Sequence, residues 1–229
     1  MALVMRYFLN KVIQKVVVFF MPTRMVYNRS EQEIRESMRT RTEEELALRA
    51  QDLNEICALL DKFSIPYYLS GGTLLGIIRG GDFLPWDGDV DIDVRVEDVY
   101  SKQTQIVTAL VQAGFKIKLH RPSKIDFKIK AVKHGDTVYE ILGYLKMDDM
   151  RYKKWSHFPD RFMRGTSEVV LRGRRYKTFA EPEQYLKWYY GDWRMPVRSE
   201  SHLGYVTESS ITGPLALMRL RLAGLFTRF

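Results

Sequence analysis

A single cysteine, Cys57, occurs in 229 residues, which excludes an internal disulfide framework and any cysteine-rich zinc site. The thiol is expected to pack in a helix core, and a reducing compartment is permitted. Histidine is nearly as scarce, and the four present, at 120, 134, 157 and 202, show no ligand spacing. No zinc site is therefore assigned. The chain has no internal repeat, no low-complexity segment and no apolar run free enough of charge to span a membrane. Acidic side chains are in the minority, 28 against 36 Lys and Arg, and the formal net charge of +8 favours acidic partners such as nucleotide phosphates, nucleic acid or an anionic membrane. What is present, 45% hydrophobic and 13% aromatic residues, suits one catalytic domain with extensions.

The stretch that organises the chain runs from Tyr67 to Val94. Tyr67-Tyr-Leu-Ser-Gly-Gly-Thr-Leu-Leu-Gly76 is followed by Arg79 and then by Pro85-Trp-Asp-Gly-Asp-Val-Asp-Ile-Asp-Val94. It reads as an apolar strand entering Ser70-Gly71-Gly72, a helix starting at Thr73, and a returning strand with acids at 87, 89, 91 and 93. Side chains two apart on a strand share a face, so Asp89 and Asp91 point together with α-carbons about 6.6 Å apart. Such a pair can hold one or two hard divalent cations, Mg²⁺ or Mn²⁺. Val90 and Ile92 point the other way, into a core, while the acids stay at the sheet edge. Glycine lets backbone N–H groups approach a phosphate closely, and a helix N-terminus favours that anion. Two simpler readings compete: a strand with a solvated face, and an EF-hand calcium loop beginning at Asp87, with Asp98 at its twelfth position. The second fails because Ile92 stands at the sixth position, where that loop needs glycine.

With these residues the chain resembles the LicD family, which includes bacterial phosphocholine transferases and fukutin-related ribitol-phosphate transferases. That family is similar to the DNA polymerase β-like nucleotidyltransferase superfamily. Tyr190-Gly-Asp-Trp193 with Pro196 resembles the family's C-terminal segment. The chain departs from the pattern at Gly88, where a further acid is usual, and at Asp93, where a small residue is usual. The resemblance implies an α/β nucleotidyltransferase fold with a small mixed sheet and helices mainly on one side. It also implies transfer of a phosphorylated alcohol, phosphocholine or a polyol phosphate, from a CDP-activated donor to a hydroxyl of a glycan or lipid-linked glycan, releasing CMP. Asp89, Asp91 and Glu140 would hold Mg²⁺ or Mn²⁺. Ser70, Gly71, Gly72 and Thr73 would cradle phosphate, Arg79 would clamp it, and Asp93 or Asp87 would accept the proton of the attacking hydroxyl. Read from the residues alone, Glu140 between apolar neighbours either faces solvent or completes the metal site, and Lys128 and Lys130, on one strand face, either meet phosphate or are solvated. Two alternatives remain: transfer of a nucleoside monophosphate with release of pyrophosphate, and an inactive scaffold on a membrane surface or nucleic acid. Nucleic acid is not an expected partner of the enzyme, and its oligomeric state is open.

Around this centre, residues 1–22 read as a basic amphipathic helix that anchors to an anionic membrane surface, residues 30–210 as one catalytic domain, and residues 211–229 as a second basic amphipathic segment. The expected location is peripheral, on the cytoplasmic face of the membrane. Capping boxes at Ser30–Glu33 and Thr42–Glu45 predict two helices, the second running to about Phe63 with Ala50, Leu53, Cys57 and Leu60 inward and no chemistry assigned. A helix over Glu97–Ala113 and strands at 115–119, 125–131, 137–142, 168–171 and 174–179 follow, then a helix over 181–190 stopped by Gly191.

Overall fold

The computed structural model describes residues 39–153 and 156–195. The expected helices at 1–22 and after Ser30, Pro196 and the segment 211–229 lie outside them. Helix α1, Glu43–Lys62, starts where the capping box predicts: Thr42 Oγ1 accepts the Glu45 N–H at 3.3 Å and the Glu45 carboxylate accepts the Thr42 N–H at 2.8 Å. Glu43, Glu44 and Glu45 in its first turn suit the helix dipole. Its inward stripe buries Leu53, Ile56, Cys57 and Leu60.

Strand β1 (Tyr67–Leu69) leads into α2 (Gly71–Gly80), and β2 (Asp89–Arg95) returns beside β1. Then come α3 (Val96–Val99), α4 (Gln103–Gln112), β3 (Lys116–Arg121), β4 (Lys128–Val132), β5 (Val138–Met147), β6 (Met150–Lys153), β7 (Ser156–Pro159), β8 (Thr166–Leu171), β9 (Arg174–Phe179) and α5 (Pro182–Tyr190). The sheet runs β3-β4-β5-β2-β1-β9-β8, with β6 and β7 continuing off β5. It is mixed: β2 lies parallel to β5 and β1 to β9, and the other pairs are antiparallel.

Strand parity divides the core. Val90, Ile92 and Val94, all fully buried, face a layer that includes Leu53, Ile56 and Leu60 of α1 and Ile106 and Leu110 of α4. Tyr68 and Leu142 stand opposite Asp93 in the ladders, so they share the acids' face. That face carries a second, aromatic cluster with Phe158, Phe179 and Tyr185. The Asp93 end of the acid-bearing side of β2 is thus roofed by aromatics, and Asp93, expected at an open edge, is 1% exposed, while Asp89 and Asp91 stay partly accessible.

Other boundaries differ too. The expected helix over Glu97–Ala113 is broken by a 3₁₀ turn at Tyr100–Lys102, where the Lys102 ammonium donates to the Phe63 carbonyl at the end of α1. The strand expected from 125 begins at Lys128, because Asp126 is buried against Arg121 and the Ser123 hydroxyl accepts from the backbone N–H groups of Ile125 and Asp126. The β6–β7 hairpin was not foreseen. No helix among the described residues is long and apolar enough to cross a membrane.

Candidate active site

The site forms where the end of β1, the start of α2 and the start of β2 meet. Gly71 has φ +53°, a left-handed conformation that suits glycine and turns β1 sharply into α2. The Ser70 N–H donates to the Asp91 carbonyl at 3.2 Å and the Asp91 N–H to Thr73 Oγ1 at 3.0 Å, so helix and strand are tied at the turn. The glycines also have a steric reason. A Cβ on Gly71 would press on the Asp91 carboxylate, 2.9 Å from its Cγ, and one on Gly72 would press on Asp87 Oδ2. Two carboxylates, one from the loop and one from the strand, converge on the N-terminus of α2 with Asp89 between them in sequence.

Asp87 is held from below by a residue outside the expected set. Arg49, on α1 and 1% exposed, donates from Nη2 to the Asp87 carbonyl at 2.8 Å and from Nε to Thr137 Oγ1 at 3.1 Å, with its guanidinium 5.3 Å from the centre of the Phe83 ring. The sequence held only a hint of its burial: an arginine on the apolar stripe that also carries Leu46 and Leu53.

Crowded acids perturb one another. Burial pushes the Asp87 carboxyl up to about 7, and Asp89 adds to the effect. Asp91 rises well above the usual carboxylate range through burial and then the charges of Asp89, Asp87, Asp93 and Glu140. Burial raises Asp93 to about 7 against the pull of Lys153 and the Ser70 hydroxyl, and neither Asp93 oxygen has a partner in hydrogen-bonding geometry. Glu140 behaves otherwise. It is the ladder partner of Asp91, but its carboxylate accepts from Lys128 Nζ at 2.8 Å and pairs with Lys130, and these bonds outweigh burial to hold it below its ordinary value.

Most of the expected residues therefore meet on one face: Ser70, Gly71, Gly72, Thr73, Asp89, Asp91, Asp93, Lys128, Lys130 and Glu140. Arg79 stands apart, about 10 Å of helix beyond Gly72 though on the same helical face, with Nη1 buried and unpartnered. Among the described residues, no three Asp, Glu, His or Cys side chains are gathered as a metal-ligand group as they stand. The crowding of Asp87, Asp89 and Asp91 nonetheless fits a hard divalent ion, since oxygen-rich anionic clusters are what such cations relieve. Lys153 and the α5 tyrosines were not foreseen at the site. Burial raises the phenols of Tyr144, Tyr185, Tyr189 and Tyr190, and acids of β2 add to this in each case. Tyr190 and Trp193 pack at the α5 end, where Gly191 has φ +71°.

A family profile described as LicD/FKTN/FKRP, nucleotidyltransferase domain, matches residues 64–180. The human ribitol 5-phosphate transferase FKRP is 46% identical over 44 residues, 19% of this chain and 9% of that protein. The Macaca fascicularis ribitol-5-phosphate transferase FKTN is 27% identical over 173 residues, 69% of this chain and 36% of that protein. The Haemophilus influenzae lipopolysaccharide cholinephosphotransferase LicD is 42% identical over 53 residues, 20% of each chain. The matches thus span at most 36% of these curated relatives. Among solved structures, the lincomycin-bound lincosamide adenylyltransferase LnuA superposes with a TM-score of 0.46 at 18% identity, over 78% of this chain and 99% of that one. The likeness is too distant to carry chemistry across.

Proposed function

Because the chain belongs to the LicD/FKTN/FKRP nucleotidyltransferase-domain family, we propose that it transfers a phosphorylated alcohol from a CDP-activated donor to a glycan hydroxyl and releases CMP. The relatives' names support the class, since ribitol phosphate and phosphocholine are both phosphorylated alcohols. The observation that carries the reading is the convergence of Asp87 and Asp91 on the Gly71–Gly72 turn, with Lys128 and Lys130 across the ladder on Glu140.

In the proposed reaction the acceptor oxygen attacks the phosphorus that bears the alcohol. The bond from that phosphorus to the bridging oxygen breaks, and CMP leaves with the oxygen. Asp89 and Asp91, joined by Glu140 when its lysines turn to phosphate, would hold Mg²⁺ or Mn²⁺, whose positive charge would offset the negative charge developing on the departing CMP. The N-terminus of α2 at Gly72 and Thr73 orients a phosphate through backbone N–H groups. Lys128 and Lys130 offer it cationic donors, and Arg79 extends the clamp along the same helix face. Asp87, beside the Gly72 end of α2, receives the proton of the attacking hydroxyl. The basic amphipathic stretches at 1–22 and 211–229 would keep the enzyme at an anionic membrane surface beside a lipid-linked glycan.

The test is a screen of CDP-ribitol, CDP-glycerol and CDP-choline for Mg²⁺-dependent CMP release by the full chain. Release from at least one is expected. No release from any of the three, with pyrophosphate formed from CTP instead, overturns the reading in favour of nucleotidyl transfer.

A further inference from the structure

The softest link in the acid loop lies between two of the carboxylates it has to place. Asp87 and Asp89 are joined through Gly88, the residue type with the freest backbone. A Cβ at Gly88 would meet nothing within 4 Å except Arg41 Nη2, at 3.8 Å, so packing does not fix this link. Hydrogen bonds to its two carbonyls do. The Val138 N–H donates to the Gly88 carbonyl at 3.2 Å, and Arg49 Nη2 donates to the Asp87 carbonyl at 2.8 Å. The first is a backbone bond that any residue other than proline supplies. The second depends on the identity of a side chain 38 positions earlier.

That side chain stands on the buried face of α1, three residues from Leu46 and four from Leu53. An aliphatic residue would pack there without the cost of a buried charge. The cost is visible: Arg49 is 1% exposed, its Nη1 has no hydrogen-bond partner, and its two bonds go to neutral oxygens, the Asp87 carbonyl and Thr137 Oγ1. What arginine adds is geometry. Its planar fork reaches the loop with one nitrogen and, with another, the residue just before β5, the strand on which β2 is laid with Asp89 opposite Val138. The Phe83 ring flanks the guanidinium and limits its sideways movement.

We propose that Arg49 is a positioning residue for the acid cluster: by fixing the peptide between Asp87 and Gly88, it keeps the Asp87 carboxylate against Gly72 and sets the entry of Asp89 into β2, so that the acids can share a divalent ion. The inference rests on the transferase reading above for its chemistry, and it concerns a residue that touches neither substrate nor metal.

The experiment follows three properties of the full chain in the wild type, Arg49→Met, Arg49→Lys and Thr137→Val. Hydrogen–deuterium exchange in EDTA reads the loop itself, through the amides of Val138 and of Asp87, the latter bonded to the Leu84 carbonyl. Titration with Mn²⁺ reads the acid cluster with no donor present, and CMP release from CDP-alcohols reads turnover. Arg49→Met suits the apolar stripe and should fold; it should exchange faster at both amides and lose about 10–100-fold in Mn²⁺ affinity, the usual cost of removing a group that orients metal ligands. Its kcat should fall more than its donor KM rises. Arg49→Lys keeps the charge but not the fork, so only part of the affinity should return. Thr137→Val removes the other Arg49 bond and spares the one to the loop, so it should lower the urea midpoint while keeping most of the Mn²⁺ affinity. Unchanged exchange or unchanged Mn²⁺ affinity in folded Arg49→Met refutes the inference, and so does an equal loss of affinity in Thr137→Val. Absence of CMP release from every CDP-alcohol, with exchange and Mn²⁺ affinity behaving as expected, would instead refute the transferase reading.

Discussion

Substituting alanine at Gly72 places one methyl group against the acid cluster with little else disturbed. The backbone there needs no left-handed conformation, so the change is not a test of strain. The added Cβ would fall well inside contact distance of Asp87 Oδ2, with the Asp87 Cγ 3.3 Å away. The carboxylate must therefore swing by about 1 Å or more to restore an ordinary contact near 3.5 Å. A displacement of about 1 Å in a catalytic group costs on the order of 10²-fold in rate, equivalent to about 2.7 kcal/mol of transition-state stabilisation. The fold should lose less than about 1 kcal/mol, because one short side chain rotates and no core packing is broken. Gly71→Ala adds a second penalty, since φ +53° is strained for alanine and the methyl meets Asp91; it should lose activity and also about 1–2 kcal/mol of stability. The assay pairs CMP release with urea melts of the full chain. Wild-type turnover in Gly72→Ala, or equal stability losses in the two variants, would refute the assignment of these glycines as the space into which the acids close.

Three further outcomes follow from the electrostatics. Asp89→Asn and Asp91→Asn should each lower metal-dependent CMP release by at least about 10²-fold while raising stability without metal, because a like charge is removed; unchanged turnover in either folded variant would sink the mechanism. Asp87 and Asp93 have folded-state carboxyls near 7 against an ordinary 3.8, so the folded protein binds the extra protons, and metal-free stability should fall as pH rises from about 4 to about 7; flat urea midpoints in EDTA across that window would contradict it. Asp160 is opposite in sign. It is 1% exposed, and although burial alone would raise its carboxyl, Lys146, Arg164 and Arg151 hold it near 2, so its contribution is present above about pH 4 and lost as pH falls toward 2. Asp160→Asn should cost about 2 kcal/mol at pH 7, and a cost that persists undiminished at pH 2 would point to packing instead.

Much of the site was legible because its pattern is local. Parity along β2, the glycine pair and the capping box at Thr42 each act over a few residues, and they appear as the sequence places them, except that α2 starts at Gly71 rather than Thr73. What was hidden depends on contacts between distant segments. Arg49 reaches the Asp87 carbonyl from a helix about 40 positions earlier, and only its seat on an apolar stripe hinted at burial. Lys153 comes to lie over the Tyr144 ring because β6 and β7 fold back from β5, a turn that composition rich in Arg, Lys and aromatics did not announce. The break in the helix at Tyr100–Lys102 likewise coincides with a tertiary bond, from Lys102 to the end of α1. Glu140 was expected at the site and is the ladder partner of Asp91, but its lysine partners are set by the β4–β5 register, which no local signal fixes.

The alternation along β2 has a consequence for assembly. Because side chains exchange faces at each step, a slip of one residue against β1 or β5 would turn Asp89, Asp91 and Asp93 into the layer now filled by Val90, Ile92 and Val94. Three carboxylates in an aliphatic layer without partners would be far costlier than the native arrangement, in which the same groups sit beside lysines and a glycine turn. Mispaired versions of this strand are therefore penalised by its acids, and a variant that neutralised all three would lose that protection against misalignment along with its chemistry.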